Sequence, residues 1–321
     1  MSFSDQYELG GELGKGAFAV VKDGTHKESG DLFAIKIISK NKLTPQDEEG
    51  LKDEIKALQL LKHQYIMRLF DVFDEGQEYF LVTEKLAGGE LFDRIVEKTQ
   101  YTEKEARDVG KVLFEALQYC HSQKVAHRDL KPENLLLLSK DNDSEVKLGD
   151  FGFAKVCPDG HRLKTPCGTP SYVAPEILKG RTYNTQVDMW SIGVIMYILL
   201  CGYQPFVDDD QQLLFKKIRN GAFEYHDRYW SSVSDEAKDL VSGLLTPSPK
   251  TRITATQALE HQWIMGDDDK LAKNDLGGTV VQLKKFNARR RLKGLIRAVM
   301  ITRKLNSLGD SFAAVADTNN D

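Results

Sequence analysis

The sequence predicts an α+β fold in two lobes, a small β-rich one followed by a larger helical one, with a basic helical segment at the C-terminal end. Three observations predict it. At 321 residues the chain exceeds what one ordinary core serves. β-rich runs prevail up to Leu86, whereas helical stretches prevail from Thr102 onward. Between Lys284 and Lys304 nine Lys and Arg residues occur without an acidic one, and the net −4 becomes −13 without them. An acidic body with a basic tail implies that the tail docks on the body or serves an acidic partner.

Bulk properties exclude several classes. With 41% hydrophobic and 29% charged residues, the composition is that of a soluble globular protein. Cys120, Cys157, Cys167 and Cys201 show no C-x-x-C spacing, which argues against a zinc site or disulfide framework and fits the reducing cytosol. No apolar run reaches the ~18 residues of a membrane span, and nothing resembles a signal peptide. The chain opens Met1-Ser2, without the glycine that myristoylation requires.

In chain order, Tyr7 to Lys22 reads as two strands joined by Gly14-Lys15-Gly16-Ala17-Phe18-Ala19-Val20-Val21, where glycines let backbone N–H groups approach phosphate oxygens. Leu32 to Ile38 is a strand carrying one lysine, Lys36. Pro45 to Lys62 reads as a helix with Leu51, Ile55, Leu58 and Leu61 on its apolar face. Tyr79 to Leu86 is a strand running into a glycine-rich turn, and Thr102 to Gln123 is a helix. Then comes His127-Arg128-Asp129-Leu130-Lys131-Pro132-Glu133-Asn134, a charge cluster between apolar runs, which a fold gains nothing from unless it does chemistry. Asp150-Phe151-Gly152, Ala174-Pro175-Glu176 and an apolar helix opening at Asp188 follow.

Taken together and in this order over residues 9 to 263, these motifs resemble those of serine/threonine protein kinases. The resemblance implies a two-lobed kinase fold binding ATP and Mg²⁺. Asp129 would orient and deprotonate the substrate hydroxyl, Lys131 would stabilise the γ-phosphoryl, and Lys36 would contact the α/β-phosphates. Asn134 and Asp150 would hold the metal. Glu54, 18 residues after Lys36, is preferred as its partner over Asp53, Glu48 and Glu49. Leu13, Gly14, Lys15, Gly16, Ala17 and Phe18 would cover the nucleotide; Ala19 stands where the family's third loop glycine falls. Val21, Ala34 and Leu136 would sandwich the adenine, with Thr83 at the gatekeeper position and backbone groups of Glu84 and Leu86 pairing with the ring. Glu90 and Glu133 would contact an arginine three residues before the acceptor, with Thr169 in the substrate-docking loop beside Asp129. Arg252 would pair with Glu176.

Two further resemblances concern control. Thr165 matches the activation-segment threonine phosphorylated by an upstream kinase in type I and type IV calcium/calmodulin-dependent kinases, and its phosphate would pair with Arg128. Leu283 to Gly294 resembles the regulatory segment of the type II enzyme. By that likeness the segment 266–308 would inhibit the kinase until calmodulin takes Arg290, Arg291, Leu292, Lys293, Ile296, Arg297 and Ile301, laying apolar anchors into its grooves. Thr279 aligns with the type II autophosphorylation threonine, but Leu276 stands where an arginine would be required. No hub sequence is present, so a monomer is expected, without nucleic-acid partners, in the cytoplasm or nucleus. The domain division expected is 7–86, 87–265, 266–308 and a polar tail, 309–321. Asp317-Thr318-Asn319-Asn320-Asp321 matches the first ligand positions of an EF-hand, so the chain also fits a calcium-dependent, EF-hand-containing kinase truncated at its C-terminus. A pseudokinase scaffold is the non-enzymatic reading, and a tail that anchors to lipid or a scaffold would replace calmodulin in the regulatory one.

Overall fold

Short β-rich runs cannot bury an apolar face alone, and in the first lobe they close into one antiparallel sheet. The protein is described by a computed structural model over residues 1–16, 19–143, 145–158, 161–165 and 167–292. A short helix α1 (Phe3–Gln6) leads into β1 (Tyr7–Lys15), β2 (Ala19–His26) and β3 (Leu32–Ser39); helix α2 (Pro45–Leu60), β4 (Leu69–Glu75) and β5 (Glu78–Glu84) complete the lobe. The strands lie in the order β1-β2-β3-β5-β4. Side chains alternate between two faces along each strand. One face packs Ile35 and Val82 with Phe3 and Tyr7; the other packs Ile38, Tyr79 and Leu81 against Leu51 of α2.

Strand β2 continues four residues beyond the expected Lys22, through Gly24. A side chain at 24 would collide with the Ile35 side chain, so this glycine serves close strand packing rather than a turn. Helix α2 begins where expected: the Thr44 hydroxyl accepts from Asp47 N, the Asp47 carboxylate accepts from Thr44 N, and Pro45 fills the first turn. It stops at Leu60 because Leu61 turns extended and is drawn into the core between the lobes.

The second lobe opens with β6 (Gly89–Glu90) and α3 (Leu91–Glu97), then α4 (Glu103–Ser122), capped by Thr102 through a reciprocal pair of bonds with Glu105. Strand β7 (Val125–Ala126) precedes the charged loop, β8 (Leu135–Leu137) follows it, and β9 (Val146–Leu148) and β10 (Lys155–Val156) lead into the segment closed by α5 (Pro175–Leu178). Helix α6 (Gln186–Cys201) is apolar on every side, and all its residues from Val187 to Cys201 are buried, as such a helix must be.

A last helix occupies residues 277–292. Val280, Leu283 and Asn287, spaced three and four apart, form its buried face. The chain enters it through Leu276, whose N–H donates to Tyr101 O at 2.8 Å. No helix among the described residues is long and apolar enough to cross a membrane.

Candidate active site

The charged loop is held by partners that leave it little freedom. Asp188, fully buried at the start of α6, accepts from the backbone N–H groups of His127 (3.0 Å) and Arg128 (2.9 Å) and from His121 Nε2 (3.0 Å). Burial alone would raise the Asp188 carboxyl. The His121 hydrogen bond and charge and the Arg128 N–H outweigh it and hold the group below the usual carboxylate range. These bonds hold Arg128 at φ +70°, a left-handed conformation costly for a side chain with a Cβ.

His127, also fully buried, ties the loop to β9. Its Nδ1 lies 3.3 Å from Asp129 N and its Nε2 lies 3.1 Å from Gly149 O. A backbone N–H can only donate and a carbonyl can only accept, so the ring is the neutral tautomer with its proton on Nε2. Gly149 N donates in turn to Asn134 O at 2.8 Å, which sets Asp150 next to Asn134.

Both oxygens of Asp129 are engaged. Oδ1 accepts from Thr169 N (3.0 Å) and Oγ1 (2.9 Å), while Oδ2 accepts from Lys131 Nζ. The Asn134 amide nitrogen donates to Asp129 O at 2.7 Å, leaving its carbonyl oxygen as the atom a cation could use. Asp150 is exposed and sits at φ +50°, a second strained position at the same site. Among the described residues no three His, Cys, Asp or Glu side chains form a metal cage. One carboxylate and one amide oxygen suit Mg²⁺, which takes few protein ligands and completes its shell with water and phosphate.

Across the cleft, Lys36 Nζ meets Glu54 Oε1 at 2.7 Å, with Glu54 buried. Its rivals are engaged elsewhere: Asp53 with Lys155 and Glu48 with Lys52. Strand register sets Gly14, Val21 and Lys36 in one row and pairs Ala34 with Thr83, whose Oγ1 donates to Ala34 O. Val21, Ala34, Lys36 and Thr83 therefore share one sheet face. A Cβ at Gly152 would lie 3.2 Å from Asp150 Oδ1 and 3.8 Å from Glu54 Oε2, so the carboxylates of the two lobes converge there. Leu13 is largely exposed, Leu136 pairs with Glu90 and Lys147, and Glu84 accepts from Lys147. Arg252 forms a buried two-bond fork with Glu176 at 2.8 and 2.9 Å.

A match to the protein kinase domain spans residues 7–264. The chain belongs to the protein kinase family. Within it, the chain lies with the calcium/calmodulin-dependent serine/threonine kinases. It is 45% identical over 283 residues to a probable myosin light chain kinase of Dictyostelium discoideum, covering 88% of this chain and 72% of that one. It is 46% identical to the calcium/calmodulin-dependent protein kinase type II of Caenorhabditis briggsae, covering 98% of this chain and 60% of that one. It is 44% identical to the type 1 enzyme of the same organism, covering 99% and 89%. The chain thus spans less than two thirds of that type II relative. Family membership makes ATP the phosphoryl donor of this kinase.

The 277–292 helix reaches the same site. Arg290 lies 2.5 Å from Glu90 Oε2 and 3.6 Å from Glu133 Oε2, and Arg291 lies 2.5 Å from Asp93 Oδ2. Asn287 Nδ2 donates to Phe92 O (2.9 Å) and Asp93 Oδ1 (3.2 Å). Thr279 is buried, its Oγ1 donating to Leu200 O at 2.8 Å, and Leu292 is exposed. Thr165 is exposed; its carbonyl accepts from the Tyr183 hydroxyl at 2.6 Å, and Arg128 Nη1 donates to that hydroxyl at 3.0 Å. Ala17, Phe18, Lys293, Ile296, Arg297, Ile301 and the 309–321 tail lie outside the described residues.

Sequence reasoning missed Asp93, Asn287 and Tyr183. Asp93 had a signal, since it falls three residues after Glu90 at the start of a helix. Tyr183 had none, because its role depends on the activation segment folding back over it.

Proposed function

We propose that this kinase is autoinhibited by its 277–292 helix acting as a false substrate, and that Ca²⁺/calmodulin releases it. The observation that carries this reading is the position of Arg290 between Glu90 and Glu133. A substrate arginine three residues before the acceptor would need the same two carboxylates. Docked tail and bound substrate therefore exclude each other, and a partner that prefers the free tail shifts the population toward activity. Lys285, Arg289 and Arg291 on this helix, with Lys293 and Arg297 beyond it, give such a partner its positive charge, and Leu292, Ile296 and Ile301 would be its apolar anchors.

In the released enzyme Asp129 aligns the substrate hydroxyl and takes its proton, with Thr169 fixing the carboxylate's orientation. Lys131 carries positive charge to the transferring group, and Lys36, steadied by Glu54, does so from the first lobe. Asp150 and the Asn134 carbonyl would hold Mg²⁺, which would supply positive charge against the phosphates. A phosphate on Thr165 would draw Arg128 away from Tyr183 and order the segment through a charge-assisted bond. Thr165→Ala should therefore be refractory to an upstream kinase; full activation of that variant would overturn this part.

The deciding experiment measures phosphorylation of an Arg-x-x-Ser peptide with and without Ca²⁺/calmodulin. Low activity without calmodulin and a large rise with it is the expected result. Equal rates in both, or indifference to replacing the peptide's arginine, would sink the reading.

A further inference from the structure

The 277–292 helix does not close against the body along its whole length. Between it and the loops 169–172 and 202–207 lies a cavity of about 420 Å³, within the range of small-molecule sites. Its walls are Tyr172, Tyr203 and Val207 from the body and Phe286 from the helix. Lys285 and Arg289 are exposed on the helix side and, unlike Arg290 and Arg291, meet no carboxylate among the described residues. Glu133 is the one carboxylate in the lining, and it is turned to Arg290. Aromatic walls beside two unpaired cations complement a flat apolar body carrying one negative group.

One wall of this cavity is detachable. Phe286, Lys285 and Arg289 leave with the helix, so the complete site exists only while the tail is docked. We propose that the cavity binds a small aromatic carboxylate, and that its occupant locks the tail on the body and opposes activation. This rests on the autoinhibited arrangement proposed above. A ligand confined to the docked state raises the calmodulin concentration needed for activation by the factor 1 + [L]/Kd, about tenfold at ten times Kd.

The test uses 2-naphthoate as probe, with saturation-transfer NMR on the full chain. Transfer is expected in the wild type and is expected to be lost in Val207→Trp, which fills the cavity, once an unchanged Tm has verified that variant's fold. It should also be lost in Asn287→Asp, which sets a carboxylate against Asp93 and frees the helix. The neutral 2-naphthylmethanol should bind at least fivefold more weakly. Undiminished transfer in Val207→Trp, or equal binding of the neutral analogue, overturns the site. The basal activity of Asn287→Asp separates the two ideas. If it stays low, the autoinhibitory reading fails; if it rises while naphthoate still binds, only the proposed site fails.

Discussion

The catalytic loop and the tail helix both place charged side chains at the same cleft, but they are held there differently. Asp188 is fully buried and gathers three donors at 2.9–3.0 Å, and His127 is fixed at both ring nitrogens. The acceptor carboxylate is closed to water, although the His121 side chain is 16% exposed. The tail is held by two buried apolar residues, Val280 and Leu283, worth roughly 1.5–3 kcal/mol each, by a buried asparagine, and by ion pairs. One of those pairs is wetter: Arg291 is 65% exposed where it meets Asp93, so solvent discounts that attraction, whereas the Glu90 and Glu133 oxygens facing Arg290 are buried. The difference teaches that the catalytic loop is tied into the core, while the tail rests on the surface of the cleft, where the proposed release by a partner would act.

Four perturbations bear on this contrast. The largest effect is expected from Asp129→Asn, which removes the base but keeps the side chain's shape. Turnover on an Arg-x-x-Ser peptide should fall by about 10²–10⁴, whether or not calmodulin is present. A drop confined to the calmodulin-free state would mean that the loop is itself part of the switch.

Next is Asp188→Ala. It leaves the N–H groups of His127 and Arg128 and the His121 ring without their acceptor, at about 1–3 kcal/mol for each unsatisfied group. The urea midpoint should drop markedly. The pH dependence carries a sign as well. Because the folded Asp188 carboxyl lies below its unfolded value, near 3.9, its contribution is present above that value and is lost as pH falls through the folded one. Wild type should therefore lose more stability than Asp188→Asn on acidification below about pH 4. Parallel loss in the two would show that the charge is not what Asp188 supplies.

Arg290→Ala should raise calmodulin-independent activity by about tenfold, the equivalent of ~1.4 kcal/mol of lost docking, without altering the calmodulin-saturated rate. No change in basal rate would show that apolar packing alone secures the tail.

The smallest effect isolates a single contact. Gly202 ends α6 at φ +83°, and a Cβ there would lie 2.5 Å from Gln282 Cβ and 2.6 Å from Thr279 O of the tail. Gly180, at φ +62°, has open space around the same position. Alanine should strain both by roughly 1 kcal/mol, lowering Tm similarly. Only Gly202→Ala should raise basal activity, by a few fold. A rise in both would trace the effect to strain rather than to the clash with the tail.

Much of the active site was legible because its parts are short and local. His127 to Asn134 and Asp150 to Gly152 are contiguous, and helix α2 was legible from its apolar spacing. Glu54 is expected as the partner of Lys36 because the kinase resemblance implies a helix glutamate at about that spacing, 18 residues on. What stayed hidden involves residues that become neighbours only on folding. The second strand reads only to Lys22, and nothing local shows that it runs on through Gly24, because Ile35, which needs that space, comes from the next strand.

By itself, the sequence pointed to the two-lobed fold and the family, and through the resemblance of its short motifs to those of protein kinases to the groups expected to transfer phosphate, because each motif is a run of neighbouring residues. Only the tertiary structure decided that Arg290, 200 positions from Glu90, lies against it. Tertiary contact also decided that Thr279 spends its hydroxyl on Leu200 and that the tail leaves a cavity beside Tyr172. The reason is physical. Local spacing specifies elements, whereas the docking of one element on another is chosen by burial and charge summed over residues that no sequence pattern brings together.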